Sequence, residues 1–194
     1  MNKNIEHYVF HKENFLDEKY CENCIDELDK CTWKRHEWYN YRTDSDSPVS
    51  GDKEPEVIYS NYFSNDIKEI NYFIKQKLHS TLLEYIDKFK FDWFADLEGY
   101  NTIKFLRYFP DQLMKIHCDH IHSLFDGERK GIPILSIIGI LNDDYEGGEL
   151  IMFEDKKIDT KKGDLLIFPS NFLYPHKITP VTRGVRYSYV SWLW

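Results

Sequence analysis

The sequence has 194 residues and a formal net charge of −8. A chain with this charge has no general attraction for polyanions, so we expect neither nucleic acid nor a membrane surface as a partner. No apolar run approaches the roughly 20 residues of a transmembrane helix, and the N-terminus lacks the apolar core of a signal peptide. We therefore expect a cytoplasmic protein with a single domain over residues 1–194, long enough to bury a sizeable core.

The first element with a clear pattern is an amphipathic helix predicted from Asp17 to Cys31, in which apolar residues recur every three or four positions. Cys21, Cys24 and Cys31 share one face of this helix. The spacing of the first two also resembles half of a zinc site, but no second Cys/His pair follows at zinc-finger spacing. The favoured interpretation is that these cysteines form part of a helix core, and a zinc site is the alternative.

A polar segment runs from Arg42 to Glu56 and contains Pro48, Gly51 and Pro55, which are residues typical of turns. Long segments without secondary structure are unusual in compact domains and often act as lids or binding loops. The sequence leaves two interpretations open, a lid over a binding site and a plain surface loop.

A second helix is predicted after Ser64-Asn65-Asp66, which supply N-cap chemistry, and its apolar residues keep a 3.6-residue period as far as Phe89. We expect this helix to cover one face of a sheet. Residues 1–100 are thus predicted to be a supporting region of helices and strands. Residues 101–194 are predicted to be the core that carries the function.

From Thr102 onward the sequence is typical of short strands separated by turns, as in a sandwich or barrel. The run from Ile134 to Leu141 is almost continuously apolar, as expected of a strand buried on both faces. The other strands predicted in this half are Thr102–Phe109, Ile116–Asp119, Glu149–Phe153, Leu165–Pro169, His176–Ile178 and Val185–Leu193. Loops or turns are predicted at His120–Ile132, Gly147–Gly148 and Pro180–Gly184.

His117, Asp119 and His176 are the candidate metal ligands. Two imidazoles and one carboxylate form the facial triad that binds non-haem Fe(II) and leaves part of its coordination sphere open. Side chains two residues apart on a strand point to the same side, so His117 and Asp119 can share one ion. His176 lies 59 positions after His117, and the fold must bring it back. Cys118, between the first two ligands, is expected to point away from the metal and to pack.

The predicted final strand places Arg186, Ser188 and Trp192 on one face. If that face is the barrel interior, the guanidinium of Arg186 is a buried charge that requires an anionic partner. Arginine suits carboxylates because its planar fork binds both carboxylate oxygens. Two partners are open at this point, a carboxylate elsewhere in the chain and the carboxylate of an anionic co-substrate.

In their order and spacing, these segments resemble the Fe(II)/2-oxoglutarate dioxygenase superfamily, and most of all its prolyl 4-hydroxylase branch. The resemblance covers about Thr102 to Trp194 and is carried by the strings LRYFPDQLMKIHCDH, LSIIGILNDDYEGGELIMF, KKGDLLIFPS and HKITPVTRGVRYSYVSWLW. Each motif alone is weak evidence. The conjunction of H-x-D, GGEL, G-D-L-L-x-F-P, the distal histidine and the R-x-S pair is specific.

The resemblance implies a mainly β protein with supporting helices. Its core would be a double-stranded β-helix, or jelly roll, with the N-terminal helices packed on one sheet. The resemblance also implies His117, Asp119 and His176 as the iron ligands. Arg186 is implied as the partner of the distal carboxylate of 2-oxoglutarate.

Three further side chains receive roles from the resemblance. Tyr108 and Ser188 are implied hydrogen-bond donors to the co-substrate, and Trp192 is an implied aromatic lining of the substrate pocket. The sequence departs from the family near Ile140, where the family often has a tyrosine that helps to bind 2-oxoglutarate. Tyr108 and Ser188 are then left to supply these hydrogen bonds.

The implied activity is hydroxylation of a C–H bond with Fe(II), 2-oxoglutarate and O2, in first place 4-hydroxylation of a prolyl residue in a peptide or protein. Ascorbate is a further candidate cofactor. Hydroxylation of another residue or of a small molecule remains an alternative, as does a non-catalytic jelly-roll protein that binds metal, against which Arg186 argues. A zinc hydrolase would need a carboxylate base beside the metal, and no H-E-x-x-H helix is present. The sequence determines neither the substrate nor the oligomeric state.

Overall fold

The computed structural model describes residues 4–37, 51–58, 65–90, 99–119 and 132–194. Within them the chain forms a 3-10 helix (Ile5–Tyr8) and two α-helices, α1 (Glu18–Leu28) and α2 (Asn65–Phe89). The strands are β1 (Phe10–Lys12), β2 (Lys34–Arg35), β3 (Glu56–Ile58), β4 (Lys104–Tyr108), β5 (Met114–His117), β6 (Leu135–Ile140), β7 (Glu146–Gly147), β8 (Leu150–Met152), β9 (Lys156–Ile158), β10 (Leu165–Pro169), β11 (His176–Ile178), β12 (Val181–Arg183) and β13 (Arg186–Leu193).

The strands form two main antiparallel sheets. The larger sheet has the strand order β1-β10-β6-β13-β4-β3-β2, the smaller one has the order β5-β11-β8-β9, and β12 pairs with β7 in a two-stranded ribbon. Side chains from both main sheets, among them Leu106, Met114, Ile138 and Met152, meet in an inter-sheet core. This architecture confirms the predicted jelly roll.

Both helices pack on the outer face of the larger sheet, where they share an outer core with its strands. The carboxylate of Asp17 accepts a hydrogen bond from a backbone N–H in the first turn of α1 and so caps the helix. The helix ends at Leu28, before the predicted end at Cys31, and the indole N–H of Trp33 donates to the Leu28 carbonyl. That bond satisfies a carbonyl without a partner inside the helix.

The buried side chains of the two helices follow the predicted periods. Cys21 and Cys24 of α1 are fully buried in the outer core, in agreement with the helix-core interpretation. Ile74, Leu78 and Leu82 of α2 are buried at successive turns of the helix. Among the described helices, none has a segment that is both long and apolar enough to cross a membrane.

Strand β13 separates the two cores, because its side chains alternate between the faces of the sheet. Tyr187 and Tyr189 belong to the outer core, whereas Arg186 lies over Tyr108 in the inter-sheet core. Gly139 of the neighbouring β6 makes room for one of these tyrosines, since a Cβ at this position would lie 1.9 Å from the Tyr189 ring. A glycine inside a strand often marks such a close approach.

The N-terminal segment is part of the larger sheet. β1 pairs with β10, and Phe10 lies opposite Ile167. Asp164, just before β10, holds β1 and the residues after it in place. Its Oδ2 lies 2.8 Å from Nε2 of His11 in β1, and its Oδ1 accepts a hydrogen bond from the backbone N–H of Asn14. Residues outside the family resemblance thus help to complete the sheet that carries Arg186.

Further predicted boundaries also differ from the structure. The first ligand strand ends at His117, so Asp119 lies in the segment after β5. The predicted turn Pro180–Gly184 contains β12, which pairs with β7 and is too short for its side chains to show an alternating pattern. The predicted loop Arg42–Glu56 is described only from residue 51, and nearly all of the predicted loop His120–Ile132 lies outside the described residues.

Candidate metal centre and co-substrate anchor

The register of two strands in the smaller sheet brings the distant histidines together. β5 and β11 are antiparallel neighbours, and His117 is the direct partner of His176. The Oδ1 atom of Asp119 lies 3.6 Å from Nε2 of His117 and 3.9 Å from Nε2 of His176. The fold therefore collects the three predicted ligands, with one ligand atom from each within 4.8 Å of the others.

Backbone carbonyls orient both imidazoles. Nδ1 of His117 lies 2.8 Å from the carbonyl oxygen of Lys115, and Nδ1 of His176 lies 3.2 Å from that of Tyr174. Because a carbonyl oxygen only accepts, these bonds assign the ring proton to Nδ1 and leave the lone pair of Nε2 facing the cluster. Metal-binding histidines commonly use their second ring nitrogen in this way.

The electrostatics of the cluster favour a bound cation. Burial alone would raise the pKa of Asp119, but the neighbouring imidazoles of His176 and His117 and a hydrogen bond from Ser136 hold that pKa well below its usual range. Burial is the main cause that lowers the pKa of His176. An ionised carboxylate and a neutral imidazole are the forms that bind metals. Two imidazole nitrogens and one carboxylate oxygen are a donor set that fits Fe(II).

The cluster is closed on one side and open on the other. The side chains of His176 and Asp119 are 6% and 9% exposed, whereas that of His117 is 21% exposed. Of the three side chains, His117 is therefore the most accessible to solvent.

Arg186 lies in the same inter-sheet space and is only 1% exposed. Its Nη1 donates a hydrogen bond of 2.7 Å to Oγ of Ser188, and its Cζ lies 5.2 Å from the centre of the Tyr108 ring. Within the described part of the chain no carboxylate forms an ion pair with this guanidinium, and its Nε lacks a hydrogen-bond partner. An unpaired buried charge costs several kcal/mol, so the site fits an anionic ligand such as the carboxylate of 2-oxoglutarate.

The two predicted co-substrate donors flank Arg186. Tyr108 is its direct partner in the register of β4 and β13. Burial raises the pKa of Tyr108 to about 12 although Arg186 opposes the shift, so the phenol keeps its proton and can donate it. Ser188 accepts a hydrogen bond from Arg186, and its own hydroxyl proton is available for a ligand. Ile140, where the family often has a tyrosine, lies opposite Ser188 and is fully buried.

Gly148 leaves the space that Arg186 occupies. Its φ is +59°, in the region that favours glycine, and a Cβ at this position would lie 3.0 Å from Cδ of Arg186. The second glycine of the GGEL motif thus has a direct structural role, because a side chain there would displace the guanidinium.

We call the inter-sheet space that extends from Arg186 to Trp192 the chamber. Its end near Trp192 contains side chains of different chemistry. Trp192 is half-buried and is the register partner of Ser136, whose Oγ lies 2.7 Å from Oγ of Ser170. No role was predicted for Ser136 or for Lys104, the first residue of β4. Side chains alternate between the two faces of a strand, and Tyr108 of β4 faces the inter-sheet core. This alternation could have predicted that Lys104 lies on the same face.

Comparison with known proteins agrees with this geometry. Residues 103–194 match the 2OG-Fe(II) oxygenase superfamily. A PKHD-type hydroxylase of Idiomarina loihiensis is 32% identical over 90 residues, which are 45% of this chain and 39% of that hydroxylase. A PKHD-type hydroxylase of Alteromonas mediterranea is 41% identical over 54 residues, 26% of this chain and 23% of that hydroxylase. These matches thus span less than half the length of the two curated relatives.

The fold is shared with a solved prolyl hydroxylase. The enzyme from Trichoplax adhaerens, in complex with a peptide fragment of the hypoxia inducible factor oxygen degradation domain, superposes with a TM-score of 0.69 at 18% identity, over 96% of this chain and 83% of the other. Identity this low shows a common fold and no more. The family match and the fold together confirm the predicted resemblance. Residues 103–194 are thus similar in sequence to the 2OG-Fe(II) oxygenase superfamily, and the chain shares the fold of a prolyl hydroxylase.

Proposed function

We propose that this chain is an Fe(II)- and 2-oxoglutarate-dependent dioxygenase that hydroxylates a C–H bond, with a prolyl residue of a peptide or protein as the first candidate substrate. One observation carries the proposal: the cluster of His117, Asp119 and His176 shares the inter-sheet space with Arg186, a buried cation that no described carboxylate neutralises. A protein that only stores or senses a metal has no use for such a cation.

His117, Asp119 and His176 would hold the metal. When bound, the iron supplies the oxidising chemistry in which O2 and 2-oxoglutarate give succinate and CO2 while one oxygen atom enters the substrate as a hydroxyl group. The protein contributes position and electrostatics. The apolar side chains of the inter-sheet core keep water away from the reacting groups.

Arg186, Tyr108 and Ser188 would hold the co-substrate. The planar guanidinium would bind the distal carboxylate with two parallel hydrogen bonds, and the hydroxyl groups of Tyr108 and Ser188 would each donate one more. With the distal carboxylate held by Arg186, the keto acid end of the co-substrate would be left to bind the metal.

Two observations favour a prolyl substrate. The fold neighbour from Trichoplax adhaerens is a prolyl hydroxylase whose structure contains a bound peptide. Trp192 offers a half-buried aromatic surface at the far end of the chamber, on which a pyrrolidine ring can pack. Ascorbate remains a predicted accessory reductant.

The proposal is tested by anaerobic titration with Fe(II) followed by 2-oxoglutarate, which should produce a metal-to-co-substrate charge-transfer absorption band. Aerobic incubation with a library of proline-containing peptides should then give products heavier by one oxygen atom, with succinate formed in equal amount. A protein without the band would not be an oxygenase. A protein with the band that oxidises amino acids or other small molecules instead of peptides would have the alternative substrate class.

Replacement of a ligand gives a sharper test. Asp119→Ala removes the only anionic donor of the cluster, so we expect Fe(II) affinity to fall at least about 100-fold, beyond the effect of losing a supporting hydrogen bond. Turnover of 2-oxoglutarate without substrate should cease. Cys118→Ala is the matched control from the same segment, since its Sγ lies near the carbonyl of Phe172 and is given no metal role. An Asp119→Ala variant as active as this control would remove Asp119 from the triad.

A further inference from the structure

β5, the strand that ends with the proposed ligand His117, lies at the edge of the smaller sheet. In the described part of the chain it has one strand neighbour, β11, and the register of this pair is irregular between His176 and Ile178. A strand at an edge lacks the hydrogen bonds that a second neighbour would supply. The position of His117 therefore depends on further contacts that hold β5.

Residues 51–55, which we call the strap, make such contacts. The backbone N–H of Leu113, one residue before β5, donates a hydrogen bond of 2.9 Å to the carbonyl oxygen of Lys53. Within β5, Nζ of Lys115 lies 3.4 Å from Oε1 of Glu54. The strap thus contacts β5 at its start, two to four residues before the imidazole of the proposed ligand.

The strap is also attached to the larger sheet. It continues directly into β3, and the backbone N–H of His36, next to β2, donates a hydrogen bond of 2.8 Å to the carbonyl oxygen of Pro55. The guanidinium of Arg35 in β2 donates to the carbonyl oxygens of Asp52 and Glu54. These contacts make the strap a link between the larger sheet and the edge of the smaller one.

Glu54 is the residue through which the strap reaches a side chain of β5. Its own side chain is only 2% exposed, with Oε2 3.9 Å from Nδ1 of His36. An ion pair between two exposed side chains contributes little, because both ends must be ordered. Here burial already fixes the carboxylate, and only Lys115 is mobile. The backbone carbonyl of the same lysine accepts the hydrogen bond that orients His117.

We propose that Glu54 is a positioning residue for the metal centre. Through Lys115 it holds β5 against the strap and so keeps the imidazole of His117 in the orientation in which Nε2 faces the other two ligands. This inference rests on the proposed function, because it takes His117 to be a metal ligand. Loss of the pair would let the end of β5 move, which lowers metal affinity although every ligand is still present.

The metal-free protein shows whether the pair holds β5. Hydrogen exchange of the backbone amides is followed by mass spectrometry in fragments that cover residues 113–119. Lys115→Met should speed this exchange by roughly threefold, because local opening no longer has to break the ion pair. Lys157→Met is the matched control. It removes a lysine of β9 that lies 2.9 Å from Glu149 and is 53% exposed, and it should leave exchange in residues 113–119 unchanged.

Fe(II) affinity, measured by anaerobic calorimetry, shows whether the held strand serves the metal centre. Lys115→Met and Glu54→Gln should each lower it by roughly three- to tenfold, less than the loss expected when a ligand is removed. The double variant should lose no more than the weaker of the two single variants, because both changes remove the same contact. Lys115→Arg keeps the charge and should retain the wild-type affinity, as should Lys157→Met.

Two results would overturn the role of Glu54. One is exchange in residues 113–119 that is equally fast in Lys115→Met and Lys157→Met. The other is an Fe(II) affinity that is equal in these two variants, or losses that multiply in the double variant.

If Glu54→Gln does not fold, the Lys115 variants decide, since that side chain is 69% exposed. A wild type that binds no Fe(II) would refute the proposed function. The exchange measurement is made without metal, so it would still show whether the pair holds β5, and the two failures are distinguishable.

Discussion

Arg107 and Arg186 lie on neighbouring strands of the larger sheet, on adjacent rungs of the ladder but on opposite faces. On the outer face, Nη2 of Arg107 lies 2.7 Å from Oε2 of Glu56, and Nη1 lies 3.4 Å from Oδ1 of Asp29. Its guanidinium also stacks on Trp33, with Cζ 4.4 Å from the ring centre. Arg107 therefore joins α1 and β3 to the sheet and has its anionic partners within the chain.

Arg186 has the opposite environment. It is almost fully buried, yet among the described residues its contacts are one hydroxyl group and one aromatic face, and its Nε has no acceptor. A buried arginine is therefore not a sign of function by itself. The informative feature is the counter-charge: Arg107 has carboxylate partners and is a structural link, whereas the lack of a described carboxylate beside Arg186 supports the proposal that it binds a ligand.

The largest expected difference between the two arginines concerns co-substrate binding. Arg186→Met should weaken 2-oxoglutarate binding by roughly 30-fold or more, because truncating one partner of a buried charged pair costs about 2–5 kcal/mol. Affinity for Fe(II) should stay nearly constant, since the three ligands are untouched. Calorimetric titration of 2-oxoglutarate into the metal-loaded protein measures the effect. Arg107→Met is the control and should change this affinity less than about threefold; equal losses in both variants would contradict the comparison.

A smaller difference between the arginine variants is expected in the free energy of unfolding. Arg107→Met should lower the free energy of unfolding by roughly 1–2 kcal/mol, since it removes two partly exposed ion pairs and a cation–π contact. Arg186→Met, measured without co-substrate, should leave stability unchanged or raise it, because an uncompensated charge is replaced by an apolar side chain of similar length. Urea unfolding followed by circular dichroism gives both values. A clear loss of stability in Arg186→Met would show that the guanidinium has a stabilising partner of its own.

The smallest expected effect is a difference in 2-oxoglutarate affinity between variants of two serines on opposite faces of β13. Ser188→Ala should weaken 2-oxoglutarate binding by roughly two- to tenfold, which corresponds to one hydrogen bond of about 0.5–1.5 kcal/mol. Ser191 lies on the other face and donates to the carbonyl of Asn101. Ser191→Ala should therefore leave 2-oxoglutarate affinity unchanged. Identical affinities in the two variants would exclude Ser188 from the co-substrate site.

Alternation along strands made much of the site predictable. The spacing of Arg186, Ser188 and Trp192 was enough to place them on one face, because a side-chain period of two follows from strand geometry alone. The convergence of His176 with His117 could not be derived in this way. It depends on the register of β5 and β11, which is set by contacts far apart in the sequence; the donor chemistry of the facial triad and the family resemblance pointed to it instead.

Other features of the site could not be predicted from the sequence because they follow no repeating residue pattern. Asp119 was expected on a strand, but β5 ends at His117 and the carboxylate reaches the cluster from the segment that follows. Lys104 was overlooked because a lysine at the start of a strand is usually solvent-exposed. The chemistry of a substrate groove resides in loops, whose conformation follows no repeating pattern.

The pairing of β1 with β10 has a consequence for how this protein can be handled. A shortened chain that began at Ile103 would retain all the residues of the proposed metal centre but would lose Phe10–Lys12 and both helices. The N–H and C=O groups along one side of Leu165–Pro169 would then form an open sheet edge beside an uncovered apolar surface. Edges of this kind recruit strands from other molecules, so the excised C-terminal half is expected to aggregate.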